Sequence, residues 1–183
     1  YAFDRWMQRT SPNCPFARYA DDAVVHCRTR QQAEHVMRAI ASRLAECGLT
    51  MHPEKSIIGY CKDSNLTERY PHVSFTFLGF TFRPRKARSA QHRSFTSFLP
   101  GASDAALKRI RQTVRGWQLN RQTHVTLAEL ARQYNPIIQG WWNYYGAFYQ
   151  TAMHGIARHI DGTLERWARR KYKKLAGRKR RSA

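Results

Sequence analysis

Two adjacent carboxylates, Asp21 and Asp22, sit inside FARYADDAVVHC (residues 16–27), between an apolar-aromatic run and a second apolar run. Carboxylates are seldom left in such surroundings unless they are paired or bind a metal. A tight turn between two strands can hold both at one point. Magnesium takes hard oxygen ligands, often only one or two protein carboxylates, with water and substrate phosphates supplying the rest. Two such ions a few ångströms apart can activate a hydroxyl nucleophile and stabilise a leaving pyrophosphate in nucleotidyl transfer. The plain alternative is a solvent-exposed β-turn in which aspartate is only a good turn former, the usual reading of an Asp-Asp pair. The apolar flanks and the charge of the whole chain weigh against it.

That charge is large. The 183 residues include 32 Lys plus Arg and 12 Asp plus Glu, a formal net charge of +20. Such a balance points to a polyanion, either nucleic acid or an anionic membrane surface. Aromatics at 13% and apolar residues at 42% provide a packed core and exclude a disordered basic tail. Residues 1–100 carry 15 basic and 8 acidic side chains, and residues 101–183 carry 17 and 4, so the shorter second part is nearly twice as positive. This shift places a boundary near LPGASD, Leu99 to Asp104. Cys14, Cys27, Cys47 and Cys61 show no C-x-x-C spacing, which favours free thiols in a reducing cytosol over zinc or disulfides. The stretch 133–157 lacks Asp, Glu, Lys and Arg. Asn135, Pro136, Gln139, Asn143, Gln150 and His154 make it too polar for a membrane span, so it reads as the core of a helical domain.

The elements that must position the carboxylates follow from periodicity. FARYADDAVVHC reads as two short strands around a turn with Ala-Asp-Asp at the bend. TRQQAEHVMRAIASRLAECG reads as a helix, with a Thr29–Gln32 capping box, an apolar face of Ala33, Val36, Met37, Ile40 and Leu44, and a stop at Gly48. SIIGYC, SFTFLGFTFRP and RSFTSFLP read as strands. Gly79, among Phe75, Phe77, Phe80 and Phe82, suggests a bulge or a close backbone approach. From Ser103, a plausible N-cap, the period becomes helical through Leu107, Ile110, Val114 and Trp117, with Lys108, Arg109, Arg111 and Arg115 on the other side. TLAELARQYN opens with a Thr126–Glu129 capping box and is expected to end at Asn135-Pro136. A third helix, PIIQGWWNYYGAF, and a fourth through Ile156, Ile160, Leu164 and Trp167 complete a bundle. The expected fold class is α+β, an α+β first region followed by an all-α bundle.

Taken together, YADD (19–22), GLTMHPEKSII (48–58), FTFLGFTF (75–82) and LARQYNPIIQGWWNYYGAF (130–148) resemble, in order, the blocks of the reverse transcriptase–maturase proteins encoded by group II introns. The resemblance implies a palm segment over 1–100, a thumb or maturase domain X over 101–175, and a basic tail over 176–183. It implies Asp21 as the main magnesium ligand, Asp22 as a supporting carboxylate, and Tyr19 near the primer–template end. Lys55 matches the basic residue beside the incoming nucleotide's phosphates, with an ordinary surface lysine as the alternative. Phe77, Leu78 and Gly79 match the block that grips the primer strand. The family's palm uses a further metal-binding aspartate, and its fingers lie upstream of the hairpin. Asp4, the only acidic residue before Asp21, does not align with that aspartate. The resemblance therefore implies a partial Mg2+ site, completed by an N-terminal fingers and palm half, and a chain inactive as a polymerase alone.

Composition and resemblance together make Lys108, Arg109, Arg111, Arg115, Arg169, Arg170, Lys171, Lys173 and Lys174 the expected RNA contacts. Most of Trp141, Trp142, Tyr144, Tyr145, Phe148 and Tyr149 are expected in the bundle core. The implied partners are group II intron RNA, an RNA/DNA primer–template and dNTPs, with no membrane and with a homodimer left open. The implied activity is RNA-directed DNA synthesis with assistance to intron splicing. The absence of a cysteine-rich endonuclease segment leads to an expectation of no DNA nicking, and the Arg- and Ala-rich composition suits a bacterial cytoplasm. Two other readings compete. One is a noncatalytic RNA-folding chaperone, and the other a general basic DNA-binding protein with a coincidental YADD.

Overall fold

In the computed structural model, described for residues 2–62 and 70–175, Phe16–Tyr19 (β1) and Asp22–Val25 (β2) pair antiparallel, with Phe16 opposite Val25 and Tyr19 opposite Asp22. The described residues fall into two compact units that divide near Ser74. In the first unit the hairpin lies between helices Ala2–Thr10 (α1) and Arg30–Glu46 (α2). Helix α2 starts where Thr29 Oγ1 accepts from Gln32 N at 3.1 Å. Gln32 reaches one residue further back than a capping box requires, taking the Arg28 amide at 2.7 Å. The helix stops at Gly48, whose φ of +70° lets Gly48 N and Leu49 N bond to Ala45 O and Leu44 O. Met7, Cys14 and Val36 are buried together, with Phe3, Trp6, Phe16, Val25 and Ile40 packed against them.

SIIGYC forms no strand. Its main-chain bonds are Ser56 N to His52 O at 3.0 Å and Tyr60 N to His72 O at 2.7 Å, and no neighbouring strand among the described residues offers a ladder. In the second unit SFTFLGFTFRP is two strands rather than one bulged strand. Phe75–Phe77 (β3) and Phe80–Arg88 (β4) join through a two-residue turn at Leu78-Gly79. Strand Ser94–Ala102 (β5) pairs with β4 along its whole length, giving the order β3-β4-β5.

Helix Asp104–Gly116 (α3) follows at once, capped by Ser103 Oγ accepting from Ala106 N at 3.2 Å. Helix Leu127–Tyr145 (α4) opens with the expected Thr126–Glu129 capping box. It runs straight through Pro136, where the sequence suggests a stop. An interior proline costs about 3 kcal/mol. Burial of Leu130 and Tyr134 before it, and packing of Ile138 and Trp141 after it, offset that cost. Trp117 stacks on both Tyr134 and Trp141, at 4.3 and 5.7 Å, and so ties the two halves of the helix together. Helix His154–Lys171 (α5) buries Ile156, Ile160 and Trp167. The basic tail expected over 176–183 lies outside the described residues.

Candidate catalytic hairpin and nucleic-acid surface

The β1–β2 register leaves Ala20 and Asp21 as the turn, with φ +52° at Ala20 alone. Positive φ at the first turn position matches strand twist, and glycine is its usual occupant. An L-residue there costs about 1–2 kcal/mol. Tyr19, Asp21 and Asp22 are all exposed, Tyr19 to 65%. Among the described residues neither aspartate has an ion-pair partner. The arginine of the same hairpin turns elsewhere. Arg18 Nε and Nη2 donate to the two carboxylate oxygens of Asp4 at 2.7 and 3.0 Å, and Nη1 donates to Ala20 O at 2.7 Å. The Arg18 guanidinium holds the Asp4 carboxyl down to about 2.

Two unpaired carboxylates at consecutive positions are hard oxygen donors, which fits the one or two carboxylates that magnesium takes from protein. Among the described residues no three or more His, Cys, Asp or Glu side chains gather into a metal-binding group. Lys55 is exposed in the turn Pro53–Lys55, and among the described residues it has no ion pair.

The Phe77-Leu78-Gly79 turn belongs to the second unit and is held by its main chain. Leu78 O accepts from Tyr144 Oη at 2.9 Å, and Gly79 O accepts from Ser103 N at 2.9 Å. Both turn residues have positive φ, +49° and +79°. Phe80 is buried against Tyr144, Tyr145 and Phe148 at 5.0–5.6 Å between centroids. Leu78, Tyr144 and Phe148 face solvent, so the aromatic run does not lie wholly in the core. Trp141, Trp142 and Tyr145 do pack against it.

Lys108, Arg109 and Arg115 line the exposed side of α3, and Arg111 is half-buried. Arg170, Lys173 and Lys174 are exposed near the end of α5. Two other expected contacts are engaged within the fold. Arg169 pairs with Glu165, and Lys171 Nζ donates to Thr123 O at 3.0 Å and Val125 O at 2.6 Å.

The chain matches the model of the reverse transcriptase (RNA-dependent DNA polymerase) family over residues 1–82, and that of the group II intron, maturase-specific domain over residues 107–183. It belongs to the group II intron reverse transcriptase/maturase family. No curated protein matches it.

Within this reverse transcriptase–maturase chain, three site features escaped the sequence reading. The Asp4–Arg18 pair spans 14 positions, with no local spacing to announce it. Arg85 is buried on β4, donates to Leu99 O and Thr81 O at 3.2 Å each, and lies 4.7 Å from the Tyr149 ring centroid. Burial, then Arg83, lowers its pKa. The signal that could have found it is Gly101 on the facing strand, where a Cβ would sit 2.7 Å from Arg85 Nη2. His159 completes the set. Burial, then Arg115, Arg166 and Arg111, disfavours its protonation, and its Nε2 meets no hydrogen-bond partner among the described residues. Among the described residues no helix is long and apolar enough to cross a membrane.

Proposed function

We propose that this chain supplies the YADD hairpin and the RNA-binding thumb of an RNA-directed DNA polymerase that also assists splicing of its intron. The observation that carries the proposal is the hairpin itself, two exposed aspartates without an ion pair among the described residues, on a two-residue turn within a reverse transcriptase match. Asp21 and Asp22 would hold magnesium, which when bound supplies the Lewis acidity for nucleotidyl transfer. A further carboxylate outside this pair completes the site. Tyr19, exposed beside the pair, suits contact with the primer end. Lys55 is exposed and, among the described residues, without an ion pair, which suits a triphosphate. The Leu78-Gly79 turn presents a fixed backbone and an exposed apolar side chain to the primer strand, and Phe77 anchors it. Lys108, Arg109, Arg115, Arg170, Lys173 and Lys174 are suited to phosphates of intron RNA, with half-buried Arg111 beside them.

Primer extension tests the reading, with Mg2+, dNTPs and a DNA primer on an RNA template. The chain is assayed alone and with an upstream polypeptide carrying the fingers and the further aspartate. Extension in the supplemented reaction, abolished by Asp21→Asn while RNA binding persists, supports it. Extension that survives Asp21→Asn overturns it. Intron RNA binding with no extension in either reaction favours the chaperone reading.

A further inference from the structure

We propose that Arg18, held by Asp4, is a positioning residue for the Asp21/Asp22 pair; the inference rests on the reading of that pair as a metal site. Three of Arg18's nitrogens are engaged, two on the Asp4 carboxylate and one on the carbonyl of Ala20. The Ala20 carbonyl belongs to the peptide plane that continues into Asp21. Fixing that oxygen restrains the plane, and with it the N–Cα bond from which the Asp21 side chain departs. The turn needs such a restraint, because Ala20 holds a φ of +52° that alanine does not favour.

The same arrangement removes a competitor. An arginine two residues from the turn, on the same hairpin, is a ready intramolecular counter-ion for Asp21 or Asp22. Paired bidentately with Asp4, its charge is answered elsewhere, and among the described residues both aspartates remain without an ion pair. Asp4 comes from α1, whose Phe3, Trp6 and Met7 pack into the same small core as Phe16 and Val25. The clamp, itself at the surface, therefore connects the turn to a helix that Met7 anchors in the core.

The test uses Mn2+ as the probe, with free Mn2+ followed by electron paramagnetic resonance and broadening of the hairpin amide signals followed by NMR. In the 183-residue chain, Arg18→Gln should weaken Mn2+ binding about tenfold, the scale expected for loss of a residue that orients a metal ligand. Adding Ala20→Gly should recover part of the loss, since glycine takes the positive φ without the clamp. Arg18→Lys keeps the charge but cannot bridge both acceptors and should behave like Arg18→Gln. Circular dichroism checks the fold of each variant. Should Arg18→Gln unfold the unit, Asp4→Asn is the milder arm, with the same expectation.

The outcomes separate two failures. If Asp21→Asn with Asp22→Asn leaves Mn2+ binding and broadening unchanged, the metal-site reading falls. If that double variant abolishes binding while Arg18→Gln, or Asp4→Asn in its place, keeps affinity within about twofold of the parent, the positioning role is overturned. Loss of affinity that Ala20→Gly does not relieve at all overturns it too, because the restraint would then not act through the turn.

Discussion

Gly79→Ala is the substitution that most directly tests how the Leu78-Gly79 turn is built. The residue has φ +79°, and a Cβ there would lie 3.2 Å from Tyr145 Oη and 3.3 Å from Tyr145 Cε1. Left-handed backbone costs an L-residue about 1–2 kcal/mol. The tight approach adds to this, because Tyr145 is wedged edge-on to Tyr144 at 4.8 Å and against Phe80 at 5.6 Å. Reduced freedom of the unfolded chain returns roughly 0.5–1 kcal/mol. The net loss should be about 1–2 kcal/mol, or a Tm lower by roughly 3–6 °C. Urea unfolding followed by tryptophan fluorescence is the assay, since Trp117, Trp141, Trp142 and Trp167 all lie in this unit. Gly116→Ala is the control. It ends α3 with nothing within 4 Å of its Cβ and no positive φ, so alanine should stabilise by about 0.5–1 kcal/mol. Tyr145→Phe combined with Gly79→Ala should recover only part of the loss, because the backbone strain remains. A Gly79→Ala protein as stable as the parent would refute the reasoning.

Other outcomes follow from the same geometry. Lys171→Met should cost about 1–3 kcal/mol by urea unfolding, from its lost bonds to Thr123 O and Val125 O, while leaving the salt dependence of RNA binding unchanged. Lys108, Arg109 and Arg115 changed together to alanine should lower the slope of log affinity against log salt by about 2 on single-stranded RNA, read by fluorescence anisotropy. The Asp4 carboxyl should titrate at about 2 by carbon NMR, against an ordinary value near 3.8. Its pairing with Arg18 therefore stabilises the first unit fully above that ordinary value, and the contribution fades as pH falls from 3.8 through about 2. The Cys27 thiol, pushed up to about 11 by burial and then by Cys14, should resist alkylation at pH 8 while exposed Cys47 reacts, read by mass spectrometry.

Where a local rule decided the structure, the residues were readable. Helices α2 and α3 carry their caps and apolar stripes in plain view, and the β1–β2 hairpin is bounded by its own turn residues. The FLGF step is ambiguous for a physical reason. A bulge and a two-residue turn both shift the alternation of phenylalanines by one, and only a partner strand tells them apart. Pro136 misleads because its penalty is local, whereas the stacking of Trp117 across it joins residues up to 24 positions apart. Arg85 and the Asp4–Arg18 pair depend on contacts between separate elements, which composition and period do not encode. The carboxylates announced themselves, but what orients them did not.

The arginines around His159 have a consequence for handling the protein. Arg111 and Arg115 on α3, and Arg166 on α5, all act electrostatically on the same histidine, which burial also holds toward its neutral form, so three guanidinium charges share one neighbourhood. Bulk ions can screen their repulsion, and so can a bound polyanion. Added salt should therefore tighten the helical unit while weakening the proposed RNA binding, two opposite responses to one variable. Thermal stability measured in dilute buffer then understates what the helices have when a polyanion is bound, and the proposed RNA ligand would serve them as a counter-ion.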